Sequence, residues 1–230
     1  MKDTRVEKMD TGKSRFIEKM GCLLKEENIV LGRDDRCIRV MGKVKTGRDI
    51  VCNKWIKGDA LYSRKVVIDL FGETKLEDIE GDGEVILRSQ NITGTMQEGY
   101  LKGCLKKLIE GNNEENKHTL LAIKNVNNYT KERLTGIVQE LIYKDEVAKV
   151  IITEQVGKEM NNVKSMGIPV MHIITGKLDD IDSILSEIDV KDVERDKLSK
   201  MDRVEDEKYV VIVRPDGVIV EVKRLKEFIG

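Results

Sequence analysis

The chain has 230 residues, 40% apolar and 36% charged, with a formal net charge of −1. That length can bury a core, and the interleaved, near-neutral charge excludes a long basic nucleic-acid tail or a polybasic membrane patch. Aromatics make up only 4% and there are two histidines, so the core must rest on Val, Ile, Leu and Met, with little material for histidine chemistry.

The first residues, "MKDTRVEKMDTGKSRF", lack the apolar core of a secretory signal. No apolar run approaches the roughly 20 residues needed to cross a bilayer. Cys22, Cys37, Cys52 and Cys104 therefore read as reduced thiols, and the expected location is cytoplasmic, without a membrane. "TGKS" at 11–14 has the last letters of a phosphate loop. The required earlier glycine is replaced by Glu7 and no apolar strand precedes it, so Ser14 reads as the cap of a helix to about Glu26. Short apolar runs follow: Ile29–Leu31, Cys37–Met41, Ile50–Ile56, Val66–Phe71 and Val85–Leu87. They predict strands or short mixed elements. "GRDDRC" at 32–37 and "GRDIVC" at 47–52 echo each other and read as two similar strand entries.

The centre alternates more clearly. Leu101, Cys104, Leu105, Leu108 and Ile109 form a helical stripe, and "TLLAIKNV" (119–126) follows as a strand. Next come a helix carrying Leu134, Ile137, Val138, Leu141 and Ile142, then the strand "AKVIIT" (148–153). A helix with Val156, Met160 and Val163, the strand "IPVMHIIT" (168–175), and a helix from Leu178 to Ile188 complete the series. Continuous apolar strands separated by helices belong to parallel sheets covered on both faces. The expected fold is α/β: a central parallel Rossmann-like three-layer sheet with a β-rich N-terminal part and a C-terminal β-hairpin. The expected divisions are 1–82, 83–188, a charged helix or linker at 189–208, and 209–230. The quoted segments of 119–174 loosely resemble the strand-helix-strand core of clamp-loader subunits that lack a working ATP site, which implies a parallel α/β core and no more.

In "VVIVRPDGVIVEVKR" (210–224), Pro-Asp and Glu-x-Lys suggest a metal-dependent nuclease. Such carboxylates must meet on one ion, yet Asp216 and Glu221 lie about 13–16 Å apart along a strand. The stretch reads instead as a hairpin with a type I turn and a bulge at Gly217. It would present Ile219, Glu221 and Lys223 on one face, with Glu221 and Lys223 available for docking.

In an open α/β sheet a ligand sits at the carboxyl ends of the strands. Those ends carry Asn125, Asn127 and Asn128, then Thr153 and Glu154, then Thr175 and Lys177. The set is polar and lacks the paired acids or histidine of general acid–base catalysis. Lys43, Lys45, Arg48, Lys54, Lys57 and Arg64 crowd around Trp55, as on a small β-barrel that binds single strands. No metal cluster, dinucleotide fingerprint or cofactor motif is evident. The leading expectation is a non-catalytic intracellular binding protein, acting by protein contact or self-association. Nucleic-acid binding through the basic region, and a small-ligand or nucleotide-binding α/β domain, are the alternatives.

Overall fold

A computed structural model describes residues 36–110, 118–126, 128–144, 146–156, 168–188, 190–201 and 203–230. The predicted helix at 14–26, "TGKS", Cys22, and the predicted helix with Met160 and Val163 lie outside the described residues, as does Asn127.

The elements in chain order are β1 (Cys37–Gly42), α1 (Arg48–Gly58), β2 (Arg64–Asp69), α2 (Leu76–Ile79), β3 (Glu84–Ser89) and α3 (Met96–Ile109). They continue with β4 (Thr119–Val126), α4 (Asn128–Tyr143), β5 (Lys149–Gln155), β6 (Met171–Gly176), α5 (Leu178–Leu185) and α6 (Asp192–Ser199). The described residues end with β7 (Tyr209–Val213), β8 (Ile219–Arg224) and α7 (Leu225–Ile229). Among the described residues the strands form one eight-stranded sheet, in the order β3-β2-β4-β5-β1-β6-β7-β8. All neighbours from β3 to β6 are parallel, and β7 and β8 extend the β6 side with antiparallel pairings.

Period-two alternation divides each strand between two faces. On one face Val66, Ile68, Leu121, Ile123, Val150 and Ile152 pack under Leu101, Leu105 and Leu108 of α3 and Leu134, Val138 and Leu141 of α4. Farther along the same face, Met41, Ile174, Val211 and Val213 meet Leu178, Ile181, Ile184 and Leu185 of α5 and Leu198 of α6. Ile38 and Val40 alternate to the opposite face, where α1 lies beside β1 and turns Val51, Cys52 and Ile56 inward. The expected three-layer α/β arrangement is the observed one.

The N-terminal apolar runs behave differently from one another. Residues 50–56 belong to helix α1, because Val51, Cys52 and Ile56 fall on one helical side and Ile50 is left exposed. β1 and β2 lie within the central sheet, on either side of β4 and β5, so the basic residues around Trp55 do not ride on a separate small barrel. The "GRD" echo divides as well: Cys37 opens a strand, whereas Arg48 and Asp49 open a helix.

At the other end, the hairpin has the predicted turn. Gly217 adopts φ 75°, and its N–H donates to the Arg214 carbonyl at 3.0 Å. A second irregularity was not visible in the pattern. Ile212 pairs with Glu221 but Val213 pairs with Ile219, leaving Val220 as an extra residue. That bulge puts Ile219 on the core side together with Val222 instead of beside Glu221.

Candidate phosphate-loop site

β1 ends at Gly42 and α1 begins at Arg48, and the five residues between them form a tight loop at the carboxyl end of the sheet. A Cβ on Gly42 would collide with the Thr175 and Thr46 hydroxyl oxygens and the Thr175 carbonyl, so only glycine fits there. The Thr46 and Thr175 hydroxyls lie 2.9 Å apart and brace the loop against β6. Lys45 and Gly47 both take left-handed backbone conformations, with φ 62° and 92°. Such residues curl successive N–H groups into an anion-binding concavity. The loop leads directly into the N-terminus of an eleven-residue helix, whose first amides lack partners within the helix and favour negative charge.

The spacing is Gly42, four residues, Gly47, then Arg48 and Asp49. A phosphate loop of nucleoside triphosphatases has Gly, four residues, Gly, Lys and Ser or Thr, following a strand and opening a helix. The glycines, strand and helix are present here, and the two residues after the second glycine are changed. This is the arrangement that sequence reasoning missed. Its signal was "VMGKVKTGRD", an apolar run followed by two glycines five apart. Lys13-Ser14 carries the usual ending of the motif and Arg48-Asp49 does not, so the letters point to the wrong place.

Arg48 is 6% exposed. Its Nη2 donates to Asn125 Oδ1 at 2.6 Å and to Asp49 Oδ2 at 3.0 Å. Its Nε and Nη1 are buried without a partner among the described residues. An unmet buried charged donor is costly, which marks the position as one that a ligand would relieve.

Asn125 is the hub. It stands at φ 63° where β4 bulges, a conformation asparagine tolerates better than most residues. Besides accepting from Arg48, it donates Nδ2–H to Asp69 Oδ1 at 2.9 Å and its backbone N–H to Thr153 Oγ1 at 2.8 Å. Asp69, fully buried at the end of β2, also accepts from the backbone N–H groups of Phe71, Glu73 and Thr74. Burial alone would raise its pKa, but these hydrogen bonds outweigh it and hold the carboxyl below its usual range. Lys124, 1% exposed, donates Nζ–H to Asn53 Oδ1 at 2.7 Å and Thr74 Oγ1 at 2.6 Å. Asp49, Asn53, Thr74, Lys124 and Asn125 line a cleft of about 440 Å³, together with residues including Lys54 and Lys57.

The structure thus joins residues from two of the predicted sets. Asn125 and Thr153 from the strand ends meet Arg48, while Thr175 supports the loop. Asn128 opens α4. Glu154 points to the other face, where its carboxylate takes both Nε and Nη2 of Arg39 at 3.0 and 2.7 Å. Lys177 is at the surface, paired with Asp206.

The basic set is dispersed. Lys43 pairs with Asp180 at 2.5 Å, Lys54 donates to the Phe228 and Ile229 carbonyls, and Lys57 donates to the Glu77 carbonyl at 3.3 Å. Lys45 is exposed in the loop, Trp55 is half-buried on α1, and Arg64 lies at the far end of β2 near Glu84. Glu221 and Lys223 pair with each other, and the Glu221 side chain is only 10% exposed. Asp216 stays in the turn, bridging to Arg214.

Burial pushes the Cys37 and Cys52 thiols up to about 12, which removes them as nucleophiles. Among the described residues no group of three or more His, Cys, Asp and Glu is placed to hold a metal, and no helix is long and apolar enough to cross a membrane.

No family model and no curated protein matches the chain. Among solved structures it is similar to one described as an ATPase domain, with 9% identity and a TM-score of 0.44 over 100% of this chain and 98% of the other. Likeness at that level leaves the function to be argued from the site itself.

Proposed function

We propose that this domain binds a phosphate-bearing small ligand of the nucleotide class at the Gly42–Asp49 loop. The observation that carries the reading is Arg48, buried at the N-terminus of α1 with two guanidinium nitrogens unsatisfied among the described residues. The loop amides, the helix N-terminus and Arg48 supply directed donors for phosphate oxygens. The adjoining cleft has room for more of the ligand. Asp69 is engaged by Asn125 and three backbone amides, whereas Asp49 meets Arg48 through one oxygen only. Asp69 is therefore not free to orient or deprotonate an attacking water.

Thermal unfolding with pyrophosphate, ADP and ATP tests the reading. Ligand at about a hundred times Kd should add about 2.7 kcal/mol of stability. No stabilisation by any of the three would sink it.

The hairpin favours a second reading, docking of another protein. Among the described residues β8 is a half-buried sheet edge, and Glu221 Oε2 is buried there without a partner. An edge strand can accept a strand from another chain. Light scattering and capture from the native source check it; a protein that remains alone in both would remove it.

A further inference from the structure

Magnesium is the usual companion of a phosphate loop. It is held by the hydroxyl that follows the lysine and by an acid at the end of a nearby strand. Neither fits here. The hydroxyl position is Asp49, β4 ends in Lys124, Asn125 and Val126, and the acids near the ends of β2 and β5, Asp69 and Glu154, are taken up by Asn125 with three backbone amides and by Arg39. The acid has moved to the helix and a cation stands on the strand.

The surroundings of Lys124 complete the picture. Its Nζ is 2.7 Å from Asn53 Oδ1, 2.6 Å from Thr74 Oγ1 and 3.9 Å from Asp49 Oδ1. An ammonium has three donors and no acceptor, and here three oxygens surround it. Magnesium demands near-octahedral oxygens at about 2.0–2.1 Å. To use Asp49, Asn53 and Thr74 it would have to displace a buried side chain of its own sign.

We infer that Lys124 supplies the positive charge that a divalent ion provides in other phosphate loops, so that the ligand is bound without metal. The inference rests on the reading proposed above and assigns that site its cation. Lys124 and Arg48, each at least nine-tenths buried, then flank Asp49 and offset its charge toward an incoming phosphate. Because both cations belong to the protein, they remain when the medium is depleted of divalent ions.

Calorimetric titration of the full chain with pyrophosphate and with ADP, in EDTA and in excess Mg2+, is the experiment. Affinity in EDTA should equal or exceed that in Mg2+ to within about twofold. Tightening by Mg2+ of about tenfold or more would overturn the inference and leave the ligand reading standing. Absence of binding in both buffers would overturn the reading and the inference with it. Lys124→Gln should weaken pyrophosphate about tenfold or more in both buffers; rescue of that variant by Mg2+ would also count against the inference. Should the variant fail to fold, the paramagnetic signal of Mn2+ gives an independent measure on the native chain. Wild-type protein with pyrophosphate should hold no more Mn2+ than pyrophosphate alone, and additional bound Mn2+ would overturn the assignment.

Discussion

Arg48, buried, bears on the ligand, and His172, half-buried, bears on stability. Among the described residues Arg48 has acceptors for part of its guanidinium and none for the rest. Replacing it with alanine should lower pyrophosphate affinity about tenfold to a hundredfold, since charge-assisted hydrogen bonds contribute about 1.5–3 kcal/mol each. Calorimetry reads this directly, with circular dichroism to confirm the fold. His172 pairs across β1 with Arg39, on the face that also carries Glu154. Burial, with Arg39 adding to it, pushes its pKa down from 6.5 to about 3. The unfolded chain therefore takes up this proton before the folded one does. The stability from a neutral His172 is complete above about pH 6.5 and drains away as pH falls toward 3, by at most about 1.4 kcal/mol per pH unit. Urea midpoints measured down that range should fall, and His172→Phe should flatten the slope. Arg39 and Glu154 form a bidentate pair, each 5% or less exposed at the side chain. Glu154→Ala is expected to cost about 3–5 kcal/mol, because it strands a buried guanidinium.

At the scale of elements, the loop, α1 and the C-terminal segment act together. Leu225 lies against Gly47, Lys208 Nζ donates to the Lys45 carbonyl at 2.7 Å, and Lys54 of α1 holds the last carbonyls of α7. Gly47→Ala must adopt a left-handed backbone, at about 1–2 kcal/mol, and must also push Leu225 away. It should destabilise the fold by at least that amount and weaken anion binding, as urea melts and titration would show. The core elements were legible because their apolar spacing is strong: α3, β4, α4 and α5 stand close to where periodicity placed them. α1 was not, because "IVCNKWI" places apolar residues densely enough for either period, and only the sheet beside it decides which of them are buried. The bulge at Val220 was hidden for a related reason. An inserted residue leaves the alternation of letters unchanged and shows itself only in pairing.

For the whole molecule, the strand order places β4, β5 and β1 at the centre and β3 and β8 at the margins. Hydrogen exchange should follow it: amides of β4, β5 and β1 exchanging only with global unfolding, and those of β3 and β8 exchanging sooner through local opening. Equal protection across the sheet would contradict that gradient. Composition and periodicity were enough to determine a parallel α/β core, its principal helices, the closing hairpin, and several strand-end residues, because burial on both faces leaves a continuous apolar signature that needs no partner to be read. Tertiary structure alone decided that β1 and β2 belong to that sheet, and that Arg48 meets Asn125, 77 residues away. It also decided that Lys124 meets Asn53, Thr74 and Asp49 beside the Gly42–Asp49 loop. Those facts depend on which strands are neighbours and which distant side chains meet between them, and a linear pattern carries no record of such adjacency.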